Sequence, residues 1–146
     1  MQEQNLHHDM EKHTFRIYGA HYNEKCFPSL NDLLHEAERH PQAYNRMKRQ
    51  FQYIAINAIR MGLKAWKPKG VVIPHYKFGE PNKGRKRDYD NIVAAARKII
   101  NDALVESKVI KDDSPTYLEY GTNEFVYGDK VFIEVTLEEK ECLKKT

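Results

Sequence analysis

Residues 83–106 read KGRKRDYDNIVAAARKIINDALVE, and a second acidic pair, Asp112-Asp113, follows soon after. Ile92, Ala96, Ile99 and Ala103 recur at helical spacing, with Val93, Ile100 and Leu104 beside them. The segment therefore predicts a helix from about Asp88 to Glu106, with an apolar stripe wide enough to be buried on two sides. Ala94, Ala95 and Ala96 would let another helix approach closely.

Outward from that helix the chain alternates in type. Thr14–Tyr18 alternates polar and apolar side chains and predicts a first strand. Ser29 precedes Leu30, Leu33, Leu34 and Ala37 at helical spacing, with Asp32 set for a capping box, and this short helix should stop at His40-Pro41. A longer helix from about Gln42 to Met61 carries Tyr44, Met47, Phe51, Ile54, Ala55 and Ala58 on one stripe. Val71–Phe78 reads as a second strand, in which Pro74 argues for an edge position or a bulge. Beyond Pro115, Tyr117–Tyr127 and Lys130–Leu137 read as two strands joined at Gly128-Asp129, a hairpin of type II′. The order strand, helices, strand, helix, hairpin predicts an α+β domain: a mixed β-sheet covered by helices.

The chain has 146 residues, 31% charged and 40% hydrophobic, with a net charge of +3. That is one domain, expected over 13–140, flanked by a disordered polar N-terminus (1–12) and a polar tail (141–146). So small a net charge says little about partners; local clusters matter more. Cys26 and Cys142 have no metal-type or disulfide-framework spacing and are expected as free thiols. No apolar run approaches the roughly 20 residues needed to cross a bilayer, and no signal peptide is evident. A cytoplasmic protein without membrane contact is expected. His7, His8, Asp9 and His13 could form a metal site, but a frayed polar terminus is the ordinary reading.

The candidate chemistry lies where Lys83, Arg85, Lys86 and Arg87 run into Asp88-Tyr89-Asp90-Asn91. Cations gather a polyanion, and clustered carboxylates there would repel it unless a metal ion sat between. Hard ions such as Mg²⁺ take carboxylate oxygens, water and phosphate. Asp88, Asp90 and Asp113 fit as ligands, with Asp112 in reserve. Residues two apart on a helix diverge at about 100° per residue, so Asp88 and Asp90 can share an ion only if Asp88 sits at or before the cap. Taken alone, each aspartate reads more simply as a cap or a turn residue, and the basic run as a solvated loop.

Asp113 poses a geometric question, because a helix of about sixteen residues spans roughly 24 Å. Either the chain after Glu106 doubles back, or Asp113 completes the site of a second subunit, the favoured expectation. Arg46, Lys48, Arg49, Lys67 and Lys69 are weaker candidates for backbone contact.

From Val71 to Leu137 the chain resembles the RusA family of Holliday junction resolvases, small endonucleases of phages and bacteria. The resemblance rests on Arg87-Asp88-Tyr89-Asp90-Asn91, the helix carrying Asp102-Ala103-Leu104, and Asp112-Asp113 at this spacing. It implies that Asp88, Asp90 and Asp113 bind Mg²⁺ and are catalytic, that the protein is a homodimer, and that paired, symmetrical hydrolysis resolves four-way junction DNA in recombination and repair. The family also carries a functional lysine early in the helix. Counting forward from Asp90 lands on Ala94; counting back from Asp102 lands on Lys98, with Arg97 the alternative. The family's short loop after the first strand is replaced by the longer stretch Ala20–His40, of which Pro28-Ser29-Leu30-Asn31 is the candidate remnant. Rival readings are a branched-DNA-binding protein without cleavage, and a nuclease acting on flaps or RNA.

Overall fold

The computed structural model describes residues 13–18 and 27–140. In chain order the elements are β1 (His13–Tyr18), α1 (Leu30–Arg39), α2 (Pro41–Leu63), β2 (Val71–Pro81), α3 (Tyr89–Glu106), β3 (Asn123–Gly128) and β4 (Phe132–Lys140). Together they form an α+β fold with a four-stranded mixed sheet. The expectations for residues 1–12, 141–146, His7, His8, Asp9, Cys26 and Cys142 lie outside the described residues.

Local sequence accounts for the helix boundaries. Ser29 and Asp32 close a reciprocal capping box, Asp32 N–H donating to Ser29 Oγ at 3.2 Å and Ser29 N–H to Asp32 Oδ2 at 2.9 Å. His40 ends α1 in extended backbone and caps α2, accepting from Gln42 N–H at 3.1 Å, while Pro41 opens α2. Among the described residues no helix is long and apolar enough to cross a membrane.

The strand order is β1-β4-β2-β3. β4 is antiparallel to both β1 and β2, whereas β3 runs parallel to β2 at the edge. The expected hairpin is therefore not formed. From Gly128 to Val131 the chain crosses the end of β2, where Asn82 N–H donates to Gly128 O at 3.2 Å, and β4 enters between β2 and β1. Burial agrees with this order: β4 buries Ile133, Val135 and Leu137 in the middle of the sheet. β3 buries none of its side chains fully and takes the edge. Gly79 sits opposite Phe132, whose ring would run into any Cβ added there.

Pro74 also differs from expectation, since β2 is an interior strand. Val72 donates to Tyr117 O and Tyr76 to Thr122 O, both on the β3 side. By alternation the donor that Pro74 lacks would face that side too. There the ladder is broken between an isolated Val72–Leu118 bridge and the start of β3 at Asn123, so no partner is left short. The strand expected over 117–127 is shortened for the same reason.

The core lies between one face of the sheet and the helices. Val72, Tyr76, Phe78, Val135 and Leu137 pack with Ile59 of α2 and Ile99, Ala103 and Leu104 of α3. Each large apolar side chain buried here contributes about 1.5–3 kcal/mol. As its wide stripe predicts, α3 is covered on two sides. It packs against α2, and Arg97 and Tyr89 reach Tyr76 and Phe125 of the sheet.

Candidate metal and nucleic-acid site

Asp88 occupies the N-cap of α3 in extended backbone (φ −72°, ψ 128°), but its side chain makes no cap hydrogen bond. Its Oδ2 instead accepts from Asn91 Nδ2 at 3.3 Å. The ordinary use of an aspartate at this position is thus not made, and the first-turn amides keep their donors. Asp90, in the first turn, is exposed and has no hydrogen bond or ion pair among the described residues.

Beyond Glu106 the chain doubles back. Lys108 adopts a left-handed conformation (φ 65°), Val109 N–H returns to Leu104 O at 3.0 Å, and Val109 and Ile110 are buried. The returning segment runs beside α3 to meet β2 at Leu118. Asp113 lines the same groove as Asp90, about 1040 Å³ in volume, bounded also by Lys98, Arg97, Asn101 and Tyr120. The groove is assembled within one chain, so helix length no longer argues for sites shared between subunits.

The second acidic pair divides by role. Asp112 accepts from Ser114 N–H at 2.8 Å, and the Ser114 hydroxyl and amide hold its carboxyl below the usual range. It is a turn residue. Asp113 is exposed and has no partner among the described residues. Nearby acids are engaged like Asp112: Asp102 with Lys48 and Lys98, Glu106 with Arg49 and Gln52, Glu119 with Lys140. Asp90 and Asp113 are left with uncommitted carboxylates on the groove wall.

Among the described residues no three acidic, histidine or cysteine side chains stand close enough to hold a metal ion by themselves. Mg²⁺ does not require such a cage, because it retains several waters and uses one or two carboxylates with phosphate oxygens. Asp90 and Asp113 on the groove wall have the donor chemistry for that ion, whereas Asp88, at the cap of the same helix, does not line the groove. His13 belongs to β1 and stacks on Trp66 with ring centroids 3.7 Å apart.

The basic residues also separate. Lys98 is exposed at the groove and reaches Asp102 at 3.4 Å. Arg97 is buried, donating through Nη2 to Gly121 O and Asn123 Oδ1 at 3.2 and 3.0 Å. In the loop before α3, Lys83 and Arg85 are exposed, and Lys86 lies 4.8 Å from the Tyr127 ring centre. A Tyr89 hydrogen bond, helped by desolvation, pushes the Tyr127 hydroxyl up to about 12.

Arg87 has a different task from the phosphate contact expected of it. It turns inward to Glu80, Asp32 and the Phe27 carbonyl. Arg49 pairs with Glu106, Lys48 with Asp102, and Lys67 donates to Lys108 O. Each is at least partly occupied in holding the fold.

Sequence reasoning missed Tyr120, Asn101 and Asn123 on the groove wall. For Tyr120 one sign was present: Gly121 interrupts the stretch expected to be continuous strand. No protein-family model matches the chain, and no curated protein matches it.

Proposed function

We propose that this chain is a Mg²⁺-dependent, structure-specific DNA endonuclease that resolves four-way junctions, as its resemblance to the RusA family implies. One observation carries the reading. Asp90 and Asp113, from remote stretches of sequence, line one groove with Lys98 and have no partners among the described residues, while the acids around them are engaged. Both carboxylates are exposed and free to accept a cation.

A divalent ion bound there supplies an activated water and offsets charge building on the phosphate. The chain's own residues supply the rest. Asp88, Asp90 and Asp113 offer hard oxygen ligands, and Lys98 brings an ammonium to the same wall. The uncapped first-turn amides of α3 are available to a phosphate oxygen. Lys83, Arg85 and Lys86, on the loop leading into that helix end, bind the backbone by charge and leave sequence unread. A homodimer would place two such grooves on a junction whose own symmetry is approximately two-fold.

The test is cleavage of a synthetic four-way junction in Mg²⁺ by wild type and Asp90→Asn, beside binding in Ca²⁺. Nicking by wild type, with binding alone in the variant, supports the proposal. Tight junction binding without nicking by wild type overturns it in favour of a non-cleaving branched-DNA-binding protein. Stronger cutting of flaps or RNA than of junctions reassigns the substrate.

A further inference from the structure

Arg97 carries a buried positive charge that no carboxylate answers among the described residues. It is 7% exposed, and Nη2 donates only to neutral acceptors, Gly121 O and Asn123 Oδ1. Its guanidinium lies between two rings, 4.7 Å from the centre of Tyr76 and 4.8 Å from that of Tyr120. Tyr76 beneath is fully buried, and burial pushes its hydroxyl well above the ordinary tyrosine range. Tyr120 above is 83% exposed, the most exposed large hydrophobic side chain among the described residues.

The loop that carries Tyr120 is pinned. A Cβ at Gly121 would collide with the Pro74 carbonyl, so the backbone runs hard against β2. The Tyr120 ring rests on the Arg97 guanidinium. The result is an aromatic plate, fixed on one side and open on the other, on the wall that also holds Asp90, Asp113 and Lys98. Holding an exposed ring in place before a ligand arrives removes much of the ordering cost of binding.

We propose that the Tyr120–Arg97 stack receives an unpaired nucleobase of the DNA substrate, beside the phosphate engaged by the acidic groove. This rests on the nuclease reading for the choice of DNA as ligand. Every base has a flat π-face, so stacking accepts any sequence. In an intact duplex those faces are covered by neighbouring pairs and must be exposed before a protein can use them. A plate of this kind therefore distinguishes branched or gapped DNA, where a base can leave the stack, from continuous duplex. It adds a structural preference to a groove that otherwise recognises only charge.

The test uses a duplex with a short single-stranded gap containing 2-aminopurine, and the same duplex without the gap, both in Ca²⁺. On binding wild type, the 2-aminopurine fluorescence should be quenched by stacking. Tyr120→Ala should abolish the quench and weaken binding to the gapped DNA on the order of tenfold, leaving intact duplex unchanged. Tyr120→Phe should behave as wild type. Absence of a quench in wild type, persistence of the quench in Tyr120→Ala, or equal weakening for both DNAs overturns the inference. Cleavage of a four-way junction by wild type in Mg²⁺ separates it from the nuclease reading. If wild type cuts no branched DNA but shows the Tyr120-dependent quench, the nucleobase site stands without the nuclease. If junctions are cut without a quench, the reverse holds.

Discussion

Arg87 grips Glu80 with two prongs, Nε and Nη2 donating to the two carboxylate oxygens at 3.0 and 2.8 Å. Glu80 is 5% exposed, at the end of the interior strand β2. Nη1 donates to Phe27 O at 2.9 Å and approaches Asp32 at 3.4 Å. One guanidinium thus ties the basic loop, the end of β2 and the start of α1 together.

Removing it should be a folding lesion. Arg87→Ala leaves a buried carboxylate without its counter-charge, which costs on the order of 3–5 kcal/mol. Chemical denaturation should show a much lower midpoint, and Arg87→Lys should recover only part of the loss because lysine cannot reproduce the fork. A midpoint within error of wild type would refute the structural assignment.

Asp112 and Asp113 should respond differently to the same change. Asn at position 112 can still accept from Ser114, so Asp112→Asn should keep cleavage within a few-fold of wild type. Asp113→Asn and Asp90→Asn should each lower Mg²⁺-dependent cleavage by roughly a hundredfold or more, the scale of losing a catalytic electrostatic group. Neither should move the unfolding midpoint appreciably, since both side chains are exposed and lack partners among the described residues. Single-turnover rates on one junction, with paired melting curves, check all three.

Mixing chains tests where the site is assembled. Asp90 and Asp113 line one groove of one chain, so a mixture of Asp90→Asn and Asp113→Asn proteins should show no recovery of cleavage. Recovery of a fraction of wild-type activity would mean that carboxylates are shared across a dimer.

Salt dependence should reveal which cations meet DNA. Replacing Lys83, Arg85 and Lys86 by alanine should flatten the slope of log affinity against log salt, by about 0.9 for each phosphate no longer neutralised. Binding isotherms at several salt concentrations read this directly. An unchanged slope would place the backbone-binding cations elsewhere.

Acid sensitivity should trace to Glu106. Its carboxyl is held below the ordinary value of 4.5 chiefly by the Arg49 hydrogen bond. Because the folded chain binds this proton less readily than the unfolded one, the contribution is complete above about 4.5 and is lost as pH falls through the lower folded value. Glu106→Gln should therefore flatten the acid limb of melting temperature against pH. An identical limb in wild type and variant would assign the acid sensitivity to other groups.

Legibility followed the range of the interaction. The capping box at Ser29, the break at His40-Pro41 and the stripes of α2 and α3 all depend on neighbours within a turn or two, and all are present. The position of Asp88 at the cap follows from the same local logic. Strand pairing does not. Gly128-Asp129 has good turn chemistry, yet β4 crosses β2 and buries Ile133, Val135 and Leu137 in the middle of the sheet. Arg87 sits in a run of charge that reads as solvated, and only the fold brings it to Glu80, seven residues away. The return of Asp113 depends on Val109 and Ile110 docking after α3, which no periodicity announces.

The path of β4 has a temporal consequence. Residues 132–140 lie between β1 and β2 and pair with both, so these earlier strands cannot become neighbours on their own. On the ribosome the sheet would wait for its middle piece until translation has passed position 140. Helical parts can form early, but closure of the sheet must be late and cooperative.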